Sequence, residues 1–263
     1  MSSISDWQCW SEPPARLGLP PGEVHIWCAS LAVPPGAVDQ LASVLEPGEC
    51  QRAARFRYEP DRQRFIVARA ILRMILSRYL GLLPQQLRLL TNPWGKPLLA
   101  PSSTGPSLPI TFNLSHAESL ALYAFTLEQD IGVDLEYLRP LPEKELEQLA
   151  ARYFSPAEYH TLCSLPREER LSSFFRCWTR KEAYVKARGQ GLSLPLDAFE
   201  VSLAPGVPAK LLASREEPEA PERWSLLTIE PAPSYIGALA VKGHIQHVAY
   251  LRWNEQQFSS FAT

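Results

Sequence analysis

The 263-residue chain has no Cys-x-x-Cys pair, and its five cysteines, at positions 9, 28, 50, 163 and 177, are odd in number and scattered. That excludes a complete disulfide framework and fits a reducing cytosol, so a cytoplasmic location is expected. Nowhere do eighteen uncharged apolar residues run together, and the opening MSSISDWQCWSEPP has neither the basic nor the apolar region of an export signal. Neither a membrane span nor a standard secretory route is expected. No sign of charge dominates either: 26 Lys and Arg face 28 Asp and Glu, a formal net charge of −2. Such a balance gives no global attraction to nucleic acid or an anionic membrane, so any anion site must come from local clustering of cations. Disorder is excluded by a composition that is 46% hydrophobic and 21% charged, ordinary values for a chain that buries a sizeable core.

What is present is length and punctuation. At 263 residues the chain exceeds the usual single domain, which predicts two similar-sized halves. Its 25 prolines concentrate in EPPARLGLPPG, VPPG, PSSTGPSLP and the stretch 195–233, which read as surface connections. Phe65, Ala68, Leu72, Ile75, Leu76 and Tyr79 recur at helical spacing and predict a helix over 62–80 stopped by Gly81. After the turn-rich TNPWGKPLL, ITFNLSHAESLALYAFT reads as two strands about a tight turn, and IGVDLEYL as another strand. An amphipathic helix is expected over 143–153 and a long one over 170–188, ended by Gly189. FEVSL, WSLLTIE, YIGALAV and HVAYLRW then read as strands. Each half is thus a helix-plus-strands unit, with the division placed at 1–127 and 128–263.

Two features carry chemistry. On the second long helix Phe175, Trp178, Glu182, Val185 and Gly189 share one face, which puts Glu182 within an apolar stripe. A carboxylate there needs a cation, a metal or a set of donors; Lys186, at i+4, is the simplest partner and by itself a pair worth only ~0.3–0.5 kcal/mol. In GVDLE, Asp134 and Glu136 alternate across Leu135, so on a strand both face one side. Two acids so placed repel unless a cation sits between them, and magnesium suits such oxygens. The alternative is a pair of strand-end acids at a solvent edge.

Together, GVDLE and FFRCWTRKEAYVKARGQGLSLPL resemble the Sfp-like 4′-phosphopantetheinyl transferases, whose hallmark is a G-[IV]-D-x-E strand followed by W-x-x-K-E-x-x-x-K. Trp178, Lys181, Glu182 and Lys186 stand at the family spacing. NPWGKP and FNLSHA resemble two further family segments, and the likeness runs over roughly 45–245. It implies an α/β (α+β) fold of two similar helix-plus-antiparallel-sheet halves packed as a pseudo-twofold monomer. The coenzyme A nucleotide would lie on the first half and the magnesium and catalytic carboxylates on the second.

The implied activity is of the holo-[acyl-carrier-protein] synthase type. A serine hydroxyl of a carrier protein attacks the β-phosphorus of coenzyme A, and 3′,5′-adenosine bisphosphate leaves. Residue by residue, the resemblance puts Asp134, Glu136 and Glu182 on magnesium and Glu182 and Lys186 in the chemistry. It puts Lys96 and His116 on the nucleotide's phosphates, Trp94, Gly95 and Pro97 along the adenine, and Arg52, Arg73, Ser115, Lys181 and Lys186 elsewhere around coenzyme A. Glu49 stands where some members carry a lysine near the 3′-phosphate. The partner implied is an apo acyl, peptidyl or polyketide carrier, met by Leu138, Pro140, Tyr153 and the Gly189–Leu192 loop; neither nucleic acid nor membrane is expected. The rival classes are a magnesium-dependent nucleotide phosphohydrolase and a non-catalytic coenzyme A binding module. His244 and His247 lack the third ligand that a zinc site needs.

Overall fold

The computed structural model describes residues 10–34, 36–101 and 108–254; most of the PSSTGPSLP connection lies outside the described residues. In the first half, β1 (Glu23–Ser30), α1 (Ala37–Ala42), α2 (Pro47–Ala53) and α3 (Glu59–Leu80) precede a small hairpin, β2 (Leu89–Thr91) and β3 (Pro97–Leu99), and a long one, β4 (Ile110–Ala117) and β5 (Leu120–Leu127). The second half runs β6 (Ile131–Tyr137), α4 (Glu143–Tyr153), α5 (Pro156–Ser164), α6 (Arg167–Arg188), β7 (Phe199–Val201), β8 (Leu211–Ser214), α7 (Ala220–Arg223), β9 (Trp224–Ile229), β10 (Tyr235–Lys242) and β11 (His247–Trp253). No helix among the described residues is long and apolar enough to cross a membrane.

Two sheets stack between two long helices. The order in the first is β11-β1-β5-β4 and in the second β6-β10-β9. Because strand side chains alternate, each sheet has two apolar faces to bury. Trp27, Ala121, Tyr123 and Phe125 pack with Ile71, Leu72 and Ile75 of α3. From the opposite face of the same strands, Ile26, Cys28, Leu122 and Ala124 meet Ile131, Val133, Leu135, Leu239 and Val241 of the second sheet. The far face of that sheet, with Ile236, Ala238 and Ala240, is covered by Phe175, Ala183, Tyr184 and Ala187 of α6. Both long helices have 22 residues and both end on a left-handed glycine, Gly81 at φ 66° and Gly189 at φ 67°, where a side chain would be strained.

Three details differ from the sequence expectation. β1 is an eight-residue strand that the apolar run EVHIWCAS does not announce by alternation, because both its faces are buried. α3 is buried over most of its circumference, Ile66, Val67, Ala70 and Met74 included, so its apolar surface is wider than one stripe. β11 lies parallel to β1, with Ile26 opposite Tyr250, so the chain returns to the first sheet at its end and that sheet is not wholly antiparallel.

Candidate active site

Along one side of the stacked sheets the edge strands β4 and β6 lie beside each other, and the edge of β6 that no strand pairs is closed by side chains. Thr111 Oγ1 donates to the Gln129 carbonyl at 2.5 Å, Lys96 Nζ to the Ile131 carbonyl at 2.9 Å, and the Val133 N–H donates to Asn113 Oδ1 at 2.9 Å. Backbone groups two residues apart on a strand point the same way, so residues 129, 131 and 133 present one edge to these three residues. Asn113 is buried, and without its oxygen the Val133 N–H would lack a partner. Two residues along β4, Ser115 reaches the next side chain and donates from Oγ to Asp134 Oδ1 at 3.0 Å.

α6 approaches β6 closely because residue 132 is glycine. A Cβ there would lie 2.1 Å from the Ala183 carbonyl oxygen and 2.3 Å from the Ala187 nitrogen. The contact brings Lys186 Nζ to 2.6 Å from Asp134 Oδ1 and 2.9 Å from Ser115 Oγ. Asp134 is buried, Lys186 is half-buried, and Asp134 Oδ2 has no protein partner at all. Such an orphaned buried oxygen is costly unless a cation completes it.

Glu136 and Glu182 face the same trench. Burial, then the charge of Asp134, pushes the Glu136 carboxyl up to about 7, against the opposing pull of Lys186. Burial and Asp134 likewise raise Glu182. Val133 and Leu135 point the other way, into the inter-sheet core, as the alternation in GVDLE predicts. Among the described residues no three His, Cys, Asp or Glu side chains already form a metal cage. An orphaned oxygen and two mutually repelling glutamates nonetheless fit a hard divalent cation, and magnesium takes its remaining oxygens from water and phosphates. On the first-half side, His116 at the exposed end of β4 has its pKa lowered by local desolvation and then by the charges of Lys186 and Arg64. The charge of Lys186 thus reaches His116, which stands on the other face of β4 from Ser115, the face of Phe112 and Leu114.

The NPWGKP turn packs where α6 ends and β6 begins. Asn92 Oδ1 accepts from the backbone N–H of Trp94 and Lys96, and Asn92 Nδ2 donates to the Gly189 carbonyl at 2.8 Å. Gly95, at φ 90°, makes the turn, and Trp94 is left 55% exposed. Pro97 opens β3. Burial lowers the Lys96 ammonium to about 8, and it donates to the Ala187 carbonyl at 3.2 Å as well as to Ile131. The loop thus pins the end of α6 to the start of β6.

Two predicted coenzyme A residues are sealed elsewhere. Arg73 is fully buried: Nε donates to Glu49 at 2.6 Å, Nη1 to the carbonyls of Pro84 and Leu87, and Glu46 lies 3.3 Å from Nη2. Its donors are turned inward, and Glu49, which also meets Arg69 at 3.4 Å, serves to hold it. Lys181, one residue from Glu182, points to a neighbouring face of α6. Its ammonium is fully buried, 2.7 Å from Glu158, and donates to the Leu196 and Phe199 carbonyls. Neither side chain has an open face for a ligand, because each is fully buried against carboxylates and backbone carbonyls. Arg52 is exposed, its guanidinium 5.4 Å from the centre of the Phe65 ring. Asn113 and Gly132 were not singled out as site residues from sequence, although a mid-strand Asn and a strand Gly are each unusual enough to signal a special contact.

Comparison with known proteins points the same way. A family profile described as the 4′-phosphopantetheinyl transferase superfamily matches residues 130–240, and one described as 4′-phosphopantetheinyl transferase, N-terminal, matches 35–127. The 4′-phosphopantetheinyl transferase HetI of Nostoc is 42% identical over 89% of this chain and 94% of its own length. The 4′-phosphopantetheinyl transferase Sfp of Bacillus subtilis is 34% identical over 63% of this chain and 69% of its own. The human L-aminoadipate-semialdehyde dehydrogenase-phosphopantetheinyl transferase is 29% identical over 65% and 57% respectively.

Proposed function

This chain belongs to the 4′-phosphopantetheinyl transferase superfamily, and from that premise we propose how its cleft moves the phosphopantetheine arm of coenzyme A onto a serine of a carrier protein. The observation that carries the reading is the convergence of Asp134, Lys186 and Ser115 within 3.0 Å of one another, with Glu136 and Glu182 within reach of the charge of Asp134. Asp134, Glu136 and Glu182 would hold magnesium, which when bound supplies charge neutralisation for the pyrophosphate and its leaving oxygen.

The chain's own groups do the rest. Lys186 offers its ammonium to the pyrophosphate, on which charge builds as the phosphorus–oxygen bond breaks. Glu182, directly or through a water, takes the proton of the carrier serine as its oxygen attacks the β-phosphorus. His116 and Lys96 stand toward the nucleotide's phosphates, and Trp94, Gly95 and Pro97 line the adenine, so the first half, 1–127, is the nucleotide side and the second, 128–263, the carboxylate side. A cavity of about 180 Å³ is lined by Leu138, Arg176, Tyr235 and Ile236, and Ile236 is the register partner of Glu136, which favours that end for the incoming carrier. The protein works as a cytoplasmic monomer of the holo-acyl-carrier-protein synthase type.

The test is to incubate the protein with coenzyme A, magnesium and apo acyl, peptidyl and polyketide carriers and to weigh the products. One phosphopantetheine mass on a carrier, with an equal yield of 3′,5′-adenosine bisphosphate, is expected. Phosphate release without carrier would identify a phosphohydrolase, and coenzyme A binding without turnover a binding module.

A further inference from the structure

We infer that Asn113 is a positioning residue for the reaction: its side-chain oxygen stands in for a missing strand and fixes the stretch of β6 that carries Asp134. The inference rests on the transferase reading above. β6 pairs with β10 on one side only, and its other edge is the one that faces β4. An unpaired strand edge can slide or twist, and a displacement there would carry Asp134 with it. What prevents this is the side-chain seam. Its bond nearest Asp134 is the one from the Val133 N–H to Asn113, buried and 2.9 Å long, made by the residue directly before the carboxylate. Residues 111, 113 and 115 alternate on β4, so the same face provides Thr111 for Gln129, Asn113 for Val133 and Ser115 for Asp134 itself.

Asparagine suits this place for a physical reason. Its amide oxygen accepts as a backbone carbonyl does, but it is carried on a side chain and reaches across a gap that the two backbones do not close. It is also uncharged, so it adds no repulsion to the three acids. Asn113 touches neither carboxylate oxygen in the structure, so its effect runs through Val133. Partners of this outer kind typically alter metal affinity or activity 10–100-fold.

The test compares Asn113→Ser, which keeps a polar side chain too short to reach Val133, with the isosteric Asn113→Asp, which keeps the acceptor, and with Thr111→Val, which cuts the seam farther from Asp134. Magnesium binding is titrated calorimetrically on each protein with coenzyme A present, and carrier modification is followed by mass spectrometry. For Asn113→Ser, magnesium affinity should fall by roughly tenfold with a similar loss in kcat, while the KM for coenzyme A stays within about twofold. Asn113→Asp should bind magnesium at least as well as the parent, and Thr111→Val should lose melting temperature without losing magnesium affinity. Equal magnesium affinity in Asn113→Ser and the parent would overturn the inference, as would an Asn113→Asp protein as weak as Asn113→Ser. If instead the parent and Asp134→Ala bind magnesium alike, it is the transferase reading of the site that fails.

Discussion

The two long helices invite comparison. α3 and α6 have the same length, the same glycine stop and the same station on the outer face of a sheet, yet they treat charge in opposite ways. In α3 the charge that enters the core, Arg73, has two counter-charges, Glu46 and Glu49, and two carbonyls, although its Nη2 and Glu49 Oε1 make no hydrogen bond. In α6 one charge, Lys181, is sealed in the same manner, but Glu182 and Lys186 on the neighbouring face are left half-buried beside an acid that lacks a partner for one oxygen. A buried cation enclosed by its own counter-charges serves the fold. A charge left incompletely paired is held ready for a ligand, at some cost to stability.

The sharpest break of that comparison is to neutralise each helix's charge in turn. Glu182→Gln should lower turnover roughly 10²–10³-fold, the usual loss when charge stabilisation of the transition state is removed. In metal-free buffer its melting temperature should not fall, since a repelling buried acid has been removed. Carrier modification by mass spectrometry and thermal melting read both halves of this expectation, and turnover within about tenfold of the parent would make Glu182 a structural acid.

Arg73→Met should do the reverse. Removing one partner of a buried ion pair costs about 3 kcal/mol, read as a lowered denaturation midpoint, whereas the KM for coenzyme A measured on the surviving folded protein should be unchanged. A selective rise in that KM would return Arg73 to the nucleotide site.

Gly132→Ala touches what the two sides share, the approach of helix to strand. The added Cβ would meet backbone atoms of α6 at 2.1 and 2.3 Å, which helix and strand can relieve only by moving apart, at about 1–3 kcal/mol. Stability and transfer should fall together, unlike in either variant above.

The smallest effect is one of pH. Glu136, raised to about 7 in the folded protein, binds a proton there that the unfolded chain has released from its ordinary value of 4.5. Between those values the native state holds more protons, so stability declines as pH rises through the window; Glu182, also raised, adds in the same direction. Melting temperatures in chelator should therefore fall between pH 5 and pH 7.5, and magnesium should remove part of that fall by favouring the ionised carboxylates.

The site's first layer was legible because its residues break local rules. An acid on an apolar helical stripe and two acids sharing one strand face ask for a cation more than for a simple ion pair or a solvent edge, and in the fold Glu182 and Glu136 both feel the charge of Asp134. Arg73 and Lys181 were misplaced for the complementary reason: a cation in a motif looks alike whether it awaits a phosphate or already has a carboxylate. Glu49, twenty-four residues before Arg73, and Glu158, twenty-three before Lys181, declare themselves only once the chain is folded. α5 was readable and missed. Its Ser155-Pro156-Ala157-Glu158 start is a capping box, with the Ser155 oxygen accepting from the Glu158 N–H. β1 offered no alternation to read, and its pairing with β11 is set by tertiary packing.

That last pairing also imposes an order of events on the newborn chain. Strands β1 and β11 are adjacent in space but separated by more than two hundred residues, so the first sheet keeps an open edge at β1 until β11 has been made. Exposed strand edges recruit other chains, and contacts this distant in sequence form late and slowly. A fragment ending at residue 127 should therefore aggregate or bind chaperones. Adding a peptide that spans β11 should restore its solubility by supplying the missing parallel strand.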